Sequence, residues 1–361
     1  MAMRAAPVML TTQRHPIALA RVAAFPGMRA LAWKANTLYA SRGYQVLCAQ
    51  VDGGSVEWRP VGNYKPAWWR SLSARSRLGS RLFRDGFHAL AVLSSGHFVG
   101  AVPGEIVTLA AGDTEFRSTH RILRGIRPLH VAVTPDDHVF WGEYFDNRDR
   151  AEVHIYASAD RGASWNIAHT FSRGSVRHVH NIVYDRWADC LWVLTGDDGA
   201  ECRILRASCD FKNIDVMCSG DQQARAVALL PTPEGIYFSS DTPLETNYAY
   251  FLGRRGQLHK LVRLTSSSIY GCRVGSELFF STMVEPSAAN LGRRVRVYGS
   301  ADGLEWQSLL QWEKDRWPMG PFQYGNVIFP DGENASGLLA LTSIAVKPGD
   351  METSLWQVDH R

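Results

Sequence analysis

Histidine, arginine and tyrosine recur at one place in a repeating pattern, and these side chains can move protons and hold carboxylates. The positions are Arg29, His88, His130, His180, Arg225, Tyr270 and Tyr324. Each opens a short small-and-apolar run, such as ALAW after Arg29, NIVY after His180 and AVAL after Arg225. A merely packed strand would tolerate Val or Thr there, so seven large polar or aromatic residues suggest one ring of side chains. Histidine can act as base, acid or metal ligand near neutral pH. Arginine can bind or neutralise a carboxylate, and Tyr270 could protonate a leaving oxygen. His178 lies two residues before His180, so in a strand both imidazoles face one side. His130, His178 and His180 are therefore expected to converge, with His88 as a further neighbour, and could hold a divalent metal.

Carboxylates follow the second run of several repeats. Glu143 stands beside Tyr144 in WGEYFDN, Asp197 beside Asp198 in TGDDG, and Asp241 and Glu285 occupy equivalent places. Loops there are expected at the same mouth as the ring. Aromatic neighbours could raise the pKa of Glu143. The combined expectation assigns catalysis to His130, His180, Tyr270 and Glu143. Substrate binding falls to Arg29, His88, Arg225, Tyr324, Tyr144 and Asp241, and a metal to His178 with His130 and His180.

The elements that must position these residues are short strands. Each first run is followed by a turn and a second apolar run, among them TLYAS, HVFWGEY, CLWVLTG and ELFFSTM. The unit returns roughly every 40 to 60 residues, the spacing of propeller blades. The longest interval holds residues 68–85, WWRSLSARSRLGSRLFRD, whose apolar positions 68, 69, 72, 78, 82 and 83 fit one helical face. Arg70, Arg75, Arg77, Arg81 and Arg84 occupy much of the rest, so a basic helical insertion is expected around 66–85. Such a helix either folds onto the domain or touches an anionic membrane surface. The expected fold is all-β, a seven-bladed β-propeller of four-stranded antiparallel blades, forming a single domain over residues 1–361. The strand at 17–22 should join the last blade and close the ring, which limits exposed strand edges. Residues 1–15 are expected to be poorly ordered.

Two turns carry a resemblance. Residues 158–165, SADRGASW, match S-x-D-x-G-x-x-W; residues 300–306, SADGLEW, are one residue shorter; and SCDFKNI at 208–214 keeps the Ser and Asp. The chain resembles the Asp-box, or BNR-repeat, β-propellers of the sialidase-like superfamily. In that resemblance the box is a structural turn, so Asp160 and Asp302 are expected to bond backbone rather than substrate. The Arg-Ile-Pro segment of sialidases is absent, and for their arginine triad the channel candidates are only Arg29, Arg225 and Arg177, which argues against sialidase activity. Polysaccharide lyases on propeller scaffolds are more similar in residue type, combining His, Tyr and Arg, sometimes around a His-held metal. That similarity implies a carbohydrate-active enzyme on acidic poly- or oligosaccharides, working by β-elimination at the channel mouth. The alternatives are a glycoside hydrolase, with Glu143 and one of Asp197, Asp241 or Glu285 as paired carboxylates, and a non-catalytic sugar-binding scaffold in polysaccharide assembly.

Composition excludes other classes. The 361 residues are 45% hydrophobic with a net charge of +4, which rules out a disordered chain and gives too little positive charge to argue for nucleic acid. No apolar run approaches the ~20 residues of a membrane-spanning helix. The apolar patch at 5–10 is too short for a signal peptide, so the cytoplasm is the expected compartment. Six cysteines lack C-x-x-C spacing, which fits buried thiols under reducing conditions.

Overall fold

The computed structural model describes residues 16–51 and 56–360; the expectation for residues 1–15 lies outside the described residues. The chain is all-β, built from four-stranded antiparallel meanders. Their first strands are Arg29–Ala35, Ala89–Val92, Ala132–Val133, Val179–Asp185, Ala226–Pro231, Ser268–Val274 and Asn326–Ile328. The last meander is completed by Ile17–Pro26, which pairs antiparallel with Glu352–His360 as its outermost strand. The two ends of the described chain thus share one sheet.

Small side chains on the first strands let the sheets pack face to face. Leu31, Ala32 and Val46 meet Phe87, Leu90 and Val107 of the next sheet. The same layering continues from Ala132 and Phe140 to Ile182 and Leu191, and from Trp192 and Leu194 to Leu229 and Phe238. It returns to its start where Leu338, Ala340 and Leu355 pack on Ala30, Trp33 and Leu38. The core is therefore a succession of inter-sheet layers, each alternate strand residue serving one neighbour.

The turns at 158–165 and 300–306 link third to outermost strands. Ser158 Oγ accepts the Gly162 N–H at 2.7 Å, and Asp160 accepts the Ser164 N–H at 2.8 Å. Gly162 has φ +85°, and a Cβ there would sit 2.6 Å from Val99 of the adjacent sheet, so glycine is required. Trp165 packs between the sheets and donates to Thr119 at 3.2 Å. Asp302 repeats the arrangement, accepting N–H groups from Leu304 and Glu305. Both aspartates hold backbone, as the motif implies.

The basic insertion departs from expectation. It forms two short helices, α1 (Trp68–Ser73) and α2 (Arg77–Phe83), broken at residues 74–76, where Ser76 caps α2. One arginine is buried and most of the apolar side chains are exposed, while Arg75 and Arg77 stay at the surface. Arg81 is fully buried and binds Asp315 at 2.5 Å and Asp350 at 3.0 Å. Trp68, Trp69, Leu72, Leu82 and Phe83 are exposed instead. Two carboxylates brought in from the end of the chain pull the arginine inward, and the apolar side chains turn out.

One strand was unexpected. Asp331–Asn334 pairs in parallel with Ala32–Ala35 and touches the first strands of the second and sixth meanders. The axis enclosed by the first strands is therefore lined in part by the chain itself, where a purely solvent-filled channel was expected. Gly332, at φ +91°, makes the approach possible, since a Cβ there would lie 2.2 Å from the Trp33 carbonyl oxygen. Among the described residues no helix is long and apolar enough to cross a membrane.

Candidate functional site

The first strands bulge where the polar residues stand. Register shifts fall at 179/181, 226/229 and 268/270, and a bulge re-aims its side chain. His180 sits in the first of these. Its Nε2 lies 2.9 Å from His178 Nε2 and 3.2 Å from Asp197 Oδ1; His178 Nε2 is 3.5 Å from the same oxygen. The opposite ring nitrogens donate to backbone: His180 Nδ1 to Ala226 O at 2.9 Å, His178 Nδ1 to Phe145 O at 3.1 Å. Arg177 holds Asp197 Oδ2 at 3.2 Å, and Arg225 approaches Asp197 at 3.3 Å and Asp241 at 3.6 Å. Burial would raise the Asp197 pKa, but its interactions with the surrounding groups, His178 and His180 first, hold it far below the carboxylate range. Burial lowers His180. Asp241 is pushed by burial up to about 7, with Glu285 adding to the shift and Arg225 opposing it. The Tyr144 ring covers His178 at 4.4 Å between centroids.

A second group faces the same axis. Arg29 Nη1 donates to His88 Nδ1 at 3.0 Å, and His88 Nε2 donates to Arg84 O at 2.6 Å. His88 is thereby a neutral imidazole that orients Arg29; burial and then the Arg127 and Arg29 charges hold its pKa well below the usual value. Arg127 is lowered to about 10 by burial, then by Arg29 and Arg84 nearby. Among the described residues none of Arg29, Arg84 and Arg127 has a carboxylate within 4 Å. His130 Nδ1 lies 3.1 Å from Asp331 Oδ2 and 3.2 Å from Oδ1, and its Nε2 has no hydrogen-bond partner. The Tyr270 ring stands 5.9 Å from His130, and Tyr270 also lies beside Arg29. The geometry offers a carboxylate-oriented imidazole, a phenol and unpaired guanidiniums together.

The structure thus gathers Arg29, His88, His130 and Tyr270 in one group, and His178, His180, Arg225, Tyr144 and Asp241 in another. His130 is not among the metal-competent atoms; Asp197 takes its place. In that set, His178, His180 and Asp197 offer ligand atoms all within 4.8 Å of one another. Glu143 does not reach either group. Its carboxylate is clamped by Arg124 Nε at 2.9 Å and by Arg124 Nη2, and it accepts the His154 N–H at 2.8 Å. Neighbouring residues of an extended chain point apart, so Tyr144 takes the axis and Glu143 turns away. Tyr324 is 38% exposed and makes no hydrogen bond or ring contact with the other six. Arg84, Arg127 and Asp331 were missed by sequence reasoning. The available signal for Asp331 was the connection at 329–337, longer than any other first-to-second strand turn.

No known protein family and no curated protein sequence matches the chain. Solved structures do. The WD40 β-propeller domain of Doa1 aligns with TM-score 0.54 at 9% identity, over 95% of this chain and 97% of that one. A chain of a mitotic checkpoint complex aligns with TM-score 0.52 at 9% identity, over 99% of both. A chain of a nidogen–laminin complex gives 0.50 at 11% identity, over 80% of this chain and 95% of that one. At such identities the likeness concerns architecture alone, and that architecture is the β-propeller.

Proposed function

We propose that the chain is a carbohydrate-active enzyme that cleaves acidic oligo- or polysaccharides by β-elimination, within a seven-bladed propeller of the Asp-box type. The cyclic succession of inter-sheet layers and the Asp-box turns support the blade count and the type. The observation that carries the activity is His130, held through Nδ1 by Asp331 with Nε2 unpartnered, beside Tyr270 and the unpaired Arg29 and Arg127. Arg29 and Arg127 neutralise the uronate carboxylate, so that charge developing on it in the transition state is stabilised. His130 Nε2 takes the proton α to that carboxylate, and the C–H electron pair becomes a ring double bond. The bond to the 4-linked oxygen breaks, and Tyr270 protonates the departing oxygen. Solvent then returns the proton from His130 to Tyr270. The clamped Glu143 removes one carboxylate from the hydrolase alternative. Six free cysteines fit work in a reducing, cytoplasmic setting.

The test is incubation of the full chain with a panel of uronate polymers and their oligosaccharides, following near-ultraviolet absorbance of the unsaturated product. Wild type should generate that product, and Tyr270→Phe should slow it about 100-fold. Saturated reducing ends without absorbance would assign hydrolysis, and no product across the panel would leave a binding scaffold; either overturns elimination.

A second reading concerns α1 and α2. Exposed Trp68, Trp69, Leu72, Leu82 and Phe83, with exposed Arg75 and Arg77, fit peripheral contact with an anionic bilayer. Sedimentation with vesicles of 70:30 phosphatidylcholine and phosphatidylglycerol should recover the protein, and Trp68→Ala/Trp69→Ala should release most of it. Equal recovery of the two proteins, or none with wild type, refutes the contact.

A further inference from the structure

We propose that His178, His180 and Asp197 bind one divalent first-row transition-metal ion through two imidazole nitrogens and one carboxylate oxygen. The argument begins with tautomers. A backbone carbonyl only accepts, so the Nδ1 atoms facing Phe145 O and Ala226 O must both carry hydrogen. In neutral imidazoles that leaves both Nε2 atoms as lone pairs. These lone pairs point at each other across 2.9 Å and at Asp197 Oδ1 across 3.2 and 3.5 Å. Three acceptors therefore converge on one point, where Arg225 Nη2, 3.3 Å from Asp197 Oδ1, is the one donor beside them among the described residues.

A single proton cannot satisfy the arrangement. Placed on His180 it could bridge to one acceptor or be shared poorly between two, while His178 and Asp197 still face each other lone pair to lone pair. A cation at the centre satisfies all three at once. The spacings fit: bonds of ~2.0–2.1 Å imply ligand–ligand edges of roughly 2.8–3.4 Å for angles between octahedral and tetrahedral, against 2.9, 3.2 and 3.5 Å observed.

The surroundings support the ligands. Donation from each Nδ1 to a carbonyl fixes ring orientation and strengthens Nε2 as a ligand, the usual outer-shell device of a metal-binding histidine. Arg177 takes Asp197 Oδ2, so Oδ1, approached from one side by Arg225 Nη2 at 3.3 Å, faces the centre. The two nearby guanidiniums do not exclude a cation, because each is shared with another carboxylate: Arg177 with Asp146 at 2.6 Å, Arg225 with Asp241 at 3.6 Å. Two nitrogens and one oxygen suit Zn²⁺, Co²⁺ or Mn²⁺ rather than Mg²⁺ or Ca²⁺, which prefer all-oxygen shells. The site does not depend on the elimination chemistry proposed above.

The experiment uses the full chain with any affinity tag removed, stripped by chelator and titrated calorimetrically with ZnCl₂ or CoCl₂ alone. One ion per chain is expected, together with visible Co²⁺ absorption that added Zn²⁺ bleaches. Outer-shell changes alone cost 10–100-fold in affinity, so His178→Ala and Asp197→Ala should each weaken binding by at least about 100-fold. Tyr270→Phe, in the other group, should leave stoichiometry and affinity unchanged. Absent Co²⁺ bands, fewer than one ion per wild-type chain, or full affinity in a folded His178→Ala or Asp197→Ala protein overturns the site. If both variants fail to fold, the wild-type stoichiometry and bands decide. Metal content is read without substrate, so a protein that binds Zn²⁺ yet forms no unsaturated product keeps this site and loses only the elimination reading.

Discussion

Arg81→Ala is expected to lower the unfolding free energy by about 3–5 kcal/mol, the cost of breaking a buried ion pair from one side. Arg81 is fully buried, and its guanidinium serves Asp315, Asp350 and the Phe322 carbonyl together. Alanine removes every one of these donors and leaves two carboxylates with side chains only 6% exposed. Lys314 still pairs with Asp315, and Arg77 still faces Asp350 at 3.5 Å, so the lower end of the range applies. Arg70→Ala makes the contrast, because Arg70 is part-exposed and Asp85 keeps Tyr44 and Ser73 as donors. Urea unfolding at pH 7 measures both; a loss below about 1 kcal/mol for Arg81→Ala would mean that the carboxylates recover water freely. The pH dependence has a definite sign. Burial alone would raise Asp315, but Arg81 and Lys314 outweigh it and hold the folded-state pKa below the ordinary value. A depressed carboxylate contributes stability above its unfolded pKa of about 3.9, and that stability is lost as pH falls through the lower folded-state value. Arg81→Ala should therefore be penalised less at pH 3 than at pH 7.

The same arginine shows where the sequence could be read and where it could not. Strands and Asp-box turns were legible because their signals are local: Ser158, Asp160 and Gly162 lie within five residues and fold one turn. The convergence of His178 and His180 was legible too: strand alternation places i and i+2 on one side, and the two Nε2 atoms do meet at 2.9 Å, with the register shift at 179/181 between them. The helical insertion was legible as helix, but which of its side chains are buried was not. Periodicity marks an apolar face without saying whether that face is buried, and the partners that drew Arg81 inward lie 234 and 269 residues away. Glu143 failed for a related reason. Its partner Arg124 belongs to the preceding sheet connection, and nothing local marks it as a counter-ion. Asp331 is the most consequential omission, because a strand that crosses to pair with Ala32–Ala35 breaks the repeat that made the other strands readable.

His130→Ala is expected to reduce elimination turnover by 10²–10⁴-fold, the range of a positioned general base, with the protein still folded. His130 lies two residues before the short strand Ala132–Val133 and its side chain is 11% exposed, so its loss opens little of the core. What disappears is the imidazole that Asp331 holds with Nε2 unpartnered; the other imidazole of the cluster, His88, is committed to Arg29 and the Arg84 carbonyl. Asp331→Asn separates chemistry from positioning. The asparagine can still accept from Nδ1–H, so the ring keeps its tautomer, but the charge that stabilises the imidazolium formed during proton abstraction is gone. Asp331 is 39% exposed, so water screens that charge, and a loss of about 10–100-fold in kcat with KM unchanged is expected. Asp331→Glu should recover part of it, which a merely structural role for the crossing strand would not allow. The measurement is steady-state near-ultraviolet product formation for wild type, His130→Ala, Asp331→Asn and Asp331→Glu on one uronate substrate. Equal kcat in wild type and His130→Ala would remove His130 as the base. An Asp331→Asn loss confined to KM would place Asp331 against the substrate rather than behind the histidine.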